Sequence, residues 1–225
     1  MIDEETDMQH YQVLSALLLY PEAELIANLP ELALALADTP PWHAMLRPLL
    51  AHLAGTGLID LQQEYVMTFD RTPSHSLHLF EHIHGESRDR GQAMVDLMEE
   101  YQKHGLEMTG DDLPDFVPLF LEFLSQQDQA EATRLLSDAI HVLAHIGRKL
   151  AANGSPYAVV FEVLERLSPV AAEALSEPPV RDMDEALETF GPSADGVEPL
   201  LKKLGAGVQP INFHPTARRA AQKAA

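Results

Sequence analysis

Cysteine is absent from the 225 residues, which excludes disulfides, thiolate metal sites and a cysteine nucleophile and suits a reducing compartment. Basic residues are scarce, 15 against 35 acidic ones, so a phosphate backbone or an anionic membrane surface would be repelled. Nucleic acid and direct membrane binding are therefore not expected. No apolar run approaches the roughly 18 to 20 residues that a membrane span needs. Met1-Ile2-Asp3-Glu4-Glu5 carries acid where a secretory leader carries base, and the expected location is the cytoplasm. Serine-hydrolase elbows, glycine-rich phosphate loops and a His-Glu-x-x-His pair are also missing, so no catalytic residue, metal ligand or cofactor is assigned.

What is present is helical spacing. Tyr11, Leu14, Leu17 and Leu18 mark a first helix that stops near Tyr20-Pro21. Pro30 and Pro41 are expected to punctuate two further short helices, and Pro48 to kink or split the run from Trp42 to Leu53. Asp60 is placed as the cap of a helix carrying Leu61, Tyr65 and Phe69 on one face, broken by Thr72-Pro73-Ser74. Ser87 can cap a helix whose Met94, Leu97, Met98 and Tyr101 form a buried face, stopped by Gly105. Phe116, Leu119, Phe120, Phe123 and Leu124 face the next helix. Asp128 with Glu131 opens a long one that ends at Asn153-Gly154, and Ser155-Pro156 opens another. The fold class is all-α, a single-domain helical bundle over residues 1–176.

Beyond Ser176, prolines 178, 179, 192, 199, 210 and 215 with glycines 191, 196, 205 and 207 leave little room for regular structure. Residues 177–225 are expected to form a flexible C-terminal tail, with at most a short helix from Asp182 to Phe190. The charge divides at the same place: residues 1–176 hold 28 acids and 9 bases, net −19, and the remainder 7 and 6, net −1. The negative field belongs to the helical part, where it would steer a cationic ligand or peptide or merely keep the surface solvated.

The densest polar stretch is Phe80-Glu81-His82-Ile83-His84-Gly85-Glu86-Ser87-Arg88-Asp89-Arg90-Gly91, between two helices. A junction this charged is either a recognition surface or a polar network that fixes the helices. Histidines 75, 78, 82 and 84 lie within ten residues, and a metal-dependent hydrolase built on His78, His82 and His84 is one alternative. A helical adaptor without a dedicated client is another. The Met and aromatic stripes at 94–101 and 116–124 read first as core faces, although Met-rich helices also line peptide grooves.

The run Tyr65-Val66-Met67-Thr68-Phe69-Asp70-Arg71, then Ser76 through Leu97 with Glu81-His82-Ile83-His84-Gly85-Glu86-Ser87-Arg88-Asp89-Arg90-Gly91 at its centre, resembles the NarJ family. The similarity continues through Tyr101, His104-Gly105-Leu106, Asp112-Leu113-Pro114-Asp115 and Leu121-Glu122-Phe123-Leu124-Ser125, covering residues 10–170 but not the tail. These are nitrate reductase molybdenum cofactor assembly chaperones within the wider TorD-like family. The resemblance implies an all-helical chaperone, not an enzyme. It would bind the apo catalytic (alpha) subunit of respiratory nitrate reductase, partly through that subunit's N-terminal segment. It would keep the client competent for cofactor insertion, delay membrane docking and stay out of the finished enzyme, with cofactor-insertion proteins as further contacts. The molybdenum cofactor belongs to the client. The expected client-binding residues are Phe80, His82, His84, Glu86, Arg88, Asp89, Arg90 and Tyr101, the junction serving as rim and the neighbouring aromatic faces as floor.

Overall fold

Tyr11, Leu14, Leu17 and Leu18 are all buried, as one helical face should be when it packs on a core. The structure is a computed structural model that describes residues 4–37, 39–84, 88–108 and 112–175, without the side chains of residues 4–9, 40 and 88. All lie within one unit, Met1–Glu188. Glu86, Ser87, the side chain of Arg88 and residues 177–225, with the short helix expected at 182–190, fall outside the described residues. In chain order the helices are α1 (Glu4–Leu17), α2 (Ala23–Ala35), α3 (Pro40–Gly55), α4 (Leu58–Tyr65), α5 (Leu79–His84), α6 (Arg88–Lys103), α7 (Val117–Ser125), α8 (Gln129–Ala152) and α9 (Ala158–Leu167). A π-helical turn, Val66–Asp70, continues α4, and a 3-10 turn, Pro73–His75, follows it. Among the described residues the sole β-bridge is His78 with Phe116, so the all-α class holds.

Pro41 lies at the start of a helix as expected, whereas Pro30 does not punctuate and Pro48 does not split one. Pro30 lies inside α2 and Pro48 inside α3, and neither ends its helix. Both rings are exposed, so the carbonyls that lose an N–H partner lie on the wet side and water can satisfy them. Asp60 is not the cap of α4 either. Gly57 holds that position, and Asp60 sits in the first turn, where a carboxylate still favours the helix dipole. Asp128, by contrast, caps α8 as expected, accepting the Glu131 N–H at 2.9 Å. Gly105 and Gly154 stop α6 and α8 at φ 76° and 69°, a region costly for any residue with a Cβ.

The core is centred on α8, which packs along α9, while α1 lies on α7. Gly147 makes the first contact possible: a Cβ there would come 2.6 Å from Cβ of Phe161. Ser15 seals the second by donating to the Pro118 carbonyl at 2.7 Å. Tyr65, Phe69 and Tyr157 form an aromatic trio with ring centres 4.8 to 6.2 Å apart. Tyr65 also donates its hydroxyl to the Leu18 carbonyl at 2.8 Å. Burial pushes the Tyr65 and Tyr157 hydroxyls well above the ordinary tyrosine range, so they stay protonated donors. His75, buried, ties the π-helical turn to the end of α8, with Nδ1 on the Thr68 carbonyl at 3.0 Å and Nε2 on the Asn153 amide at 2.8 Å.

Helix α6 departs most from expectation. Of its anticipated buried face, Tyr101 alone is buried; Met94 and Leu97 are half-covered, and Met98 is 39% exposed beside Val95 at 45%. The methionine stripe is thus a partly open apolar surface.

Candidate functional site

The charged junction is organised by a residue that the sequence reading did not single out. Asp115, with no exposed surface, stands immediately before the cap of α7. Its side chain accepts the Phe80 N–H at 3.1 Å and faces His78 Nδ1 at 3.3 Å, and its carbonyl accepts the Leu79 N–H at 3.0 Å. Arg90, in the first turn of α6, pairs with Glu81 at 3.1 Å and lies 4.0 Å from Asp115. Burial alone would raise the Asp115 carboxyl. The His78 and Phe80 hydrogen bonds and the nearby Arg90 charge overcome that and hold it below the ordinary aspartate value.

The expected site residues therefore separate by burial. His82, expected at the client-binding rim, is instead buried, with Nε2 on the Ser76 carbonyl at 2.8 Å and its ring 5.7 Å from that of His145. Phe80 and His84 are half-buried and in ring contact at 5.9 Å, Asp89 is exposed, and Arg90 is largely covered by its pairs. Glu86 and the Arg88 side chain lie outside the described residues. The histidines do not converge as metal ligands would, since His78 addresses Asp115 and His82 a backbone carbonyl. Among the described residues Glu100, His104 and Glu131 do approach one another closely. Arg134 hydrogen-bonds both of those glutamates, so the cluster already holds its own cation.

Tyr101 belongs to a second feature at the other end of α6. Its hydroxyl donates to the Pro114 carbonyl at 2.7 Å and its ring lies 4.6 Å from that of Phe123. Burial pushes this hydroxyl well above the ordinary tyrosine range, with the Asp115 charge adding to it. Around this pair run two hollows of about 260 and 250 Å³ that share Tyr101, Leu106, Glu107 and Met108. Leu119 and Phe123 extend the apolar floor on one side and Met98 on the other. Glu107, Asp112 and Glu122 line the same hollow and are exposed. The result is an apolar floor with a carboxylate rim, which suits a cationic amphipathic segment.

The sequence profile described as nitrate reductase delta subunit matches residues 36–163. The nitrate reductase molybdenum cofactor assembly chaperone NarJ of Escherichia coli K12 is 42% identical over 166 residues, which cover 72% of this chain and 70% of NarJ. The chain belongs to the NarJ family. NarW of the same organism is also 42% identical, over 163 residues covering 72% of this chain and 68% of NarW. The fold agrees with a crystal structure from Archaeoglobus fulgidus, described as a candidate redox enzyme maturation protein, at a TM-score of 0.55 and 21% identity. That match covers 71% of this chain and 91% of the other.

For this NarJ family member the family match contains both the Asp115 junction and the groove around Tyr101 and Phe123, whereas α1 precedes it. Residues 177–225 lie beyond it as well. Sequence reasoning found the junction by its charge density and missed Asp115, which reads on paper as one more acid before a helix. It also missed Leu106, Met108 and the rim acids. Their only signal was an acid recurring every few residues between 107 and 122 among apolar neighbours.

Proposed function

We propose that this chain is a non-catalytic, cytoplasmic chaperone of nitrate reductase maturation. It binds the apo catalytic subunit, including that subunit's N-terminal segment, and releases it once the molybdenum cofactor is in place. The observation that supports this reading best is the groove at the end of α6, whose apolar floor and exposed Glu107, Asp112 and Glu122 match a cationic amphipathic helix in kind. The junction residues Phe80, His84, Glu86, Arg88, Asp89 and Arg90 are taken as a second client contact, with His82 and Tyr101 buried in the domain behind it. No chemistry is assigned to any side chain. Among the described residues no helix is long and apolar enough to cross a membrane.

Binding can be measured by titrating a labelled peptide that carries the N-terminal residues of the nitrate reductase catalytic subunit. Reversing two rim charges, Glu107→Lys with Glu122→Lys, should weaken binding about tenfold or more, equivalent to about 1.4 kcal/mol. Binding to the parent chain should also weaken as salt is raised, chiefly through slower association. Glu86→Ala with Asp89→Ala should weaken binding while moving thermal stability little, because Asp89 is exposed and the ion pairs of exposed side chains contribute about 0 to 1 kcal/mol. Peptide affinity indifferent both to rim reversal and to salt would remove the groove from the proposal. Unfolding of the Glu86 and Asp89 double variant, with normal binding by what stays folded, would make the junction purely structural.

A further inference from the structure

The sulfur of this chain is of one kind. Cysteine is absent and methionine occurs eight times, so the sulfur chemistry open to it is that of the thioether. The thioethers are unevenly placed. Met45 is half-buried against the core, and Met67, in the π-helical turn, is 63% exposed but lines neither hollow at the end of α6. Met98 and Met108 stand in the groove itself. Met108 lines both hollows, half-buried beside Leu106, and Met98, 39% exposed, lines the second with Tyr101. They are reachable because the methionine stripe of α6 is only partly covered.

We propose that Met98 and Met108 form an oxidation site that closes the groove: peroxide converts their thioethers to sulfoxides, and the oxidised floor no longer holds an apolar client face. The inference rests on the groove reading given under Proposed function. In each step a sulfur lone pair attacks one oxygen of hydrogen peroxide and the O–O bond breaks. Sulfur keeps that oxygen and gives up two electrons, and the other oxygen leaves with both protons as water. A sulfoxide is a polar acceptor where the thioether was a weak one. The apolar face of a client would have to strip water from it without supplying a donor. Tyr101 does not supply one, because its hydroxyl is given to the Pro114 carbonyl at 2.7 Å. Methionine sulfoxide reductases reverse this chemistry, so the site acts as a switch: the chaperone declines its client while oxidant is present and recovers afterwards.

The test treats the full chain with excess hydrogen peroxide, removes the oxidant with catalase, and follows each methionine by mass spectrometry alongside binding of the labelled nitrate reductase peptide. Sulfoxides should form at Met98 and Met108 as affinity falls about tenfold or more, and methionine sulfoxide reductase should restore both. The quantity compared among variants is the ratio of affinities without and with peroxide, each chain against itself. That ratio should stay about tenfold in Met67→Leu, although Met67 is more exposed than Met98, and fall close to one in Met98→Leu with Met108→Leu. Peptide bound beforehand should slow oxidation of Met98 and Met108 and leave Met67 unaffected. Sulfoxides at both positions with unchanged affinity would overturn the proposal, as would a tenfold ratio that persists in the double leucine variant. Failure of this inference and failure of the groove as client site are separable. Affinity that falls on Glu107→Lys with Glu122→Lys but ignores peroxide would keep the client in the groove and remove the switch. Affinity indifferent to rim reversal, with no protection of Met98 and Met108 by the peptide, would remove the groove and the switch together.

Discussion

Asp115 is the most exacting test of how the junction is built. Its carboxylate is wholly buried, accepts the Phe80 N–H, faces His78 and lies 4.0 Å from Arg90. Asp115→Ala would leave the partly buried Phe80 N–H without its acceptor and Arg90 with Glu81 alone. Removing one member of a buried charged cluster costs about 3 to 5 kcal/mol, a large part of a total stability on the order of 5 to 15 kcal/mol. Asp115→Asn keeps one acceptor and the volume, so its cost should be smaller, about 1.5 to 3 kcal/mol. The sign of the pH dependence follows from the lowered carboxyl pKa. Such a group contributes stability above its unfolded pKa of about 3.9 and loses it as pH falls through the lower folded value. The gap between the parent chain and Asp115→Asn should therefore be fully open near neutrality and close in acid. Urea midpoints measured from pH 7 to pH 3 report it. A gap under about 0.5 kcal/mol at pH 7, or one that widens in acid, would refute the account of the junction.

Two further outcomes follow from the packing and the charge partition. Gly147→Ala should destabilise the chain by about 1 to 3 kcal/mol in urea unfolding, because the new Cβ meets Phe161 Cβ at 2.6 Å and α8 and α9 must part; an unchanged midpoint would mean the interface yields freely. Deleting residues 178–225 should leave a single cooperative unfolding transition. Loss of that transition would show that the helical domain needs the segment to fold.

Most of the helices were legible because their signals were redundant. α8 carried a cap at one end and a glycine stop at the other, and both are found where the pattern placed them. The errors came where one signal was asked to decide alone. The pattern alone predicts an end at Pro30 and a kink or split at Pro48, but whether a proline breaks a helix depends on which face the freed carbonyl meets, and sequence does not print that face. The site was half legible for the same reason. Charge density located the junction, yet its organiser, Asp115, acts through contacts 35 and 37 residues away in the chain, with Phe80 and His78. The methionines of α6 look on paper like any buried stripe. Their exposure depends on how few neighbours reach that helix, which is a property of the tertiary arrangement.

The π-helical turn at Val66–Asp70 carries a consequence for the length of the motif as well as its composition. In an α-helix each step turns by about 100°, so positions four apart drift forward by about 40° and a third such residue no longer sits beneath the first. Closing on the fifth residue, as Arg71 N–H does on the Val66 carbonyl at 3.0 Å, takes up one residue more and resets that drift. Phe69 can thus remain against Tyr65 and Tyr157. The extra residue works as a phase corrector. Losing Val66, Met67 or Thr68, whichever side chain it carried, would turn everything downstream by about one α-helical step and swing the Phe69 ring out of the trio.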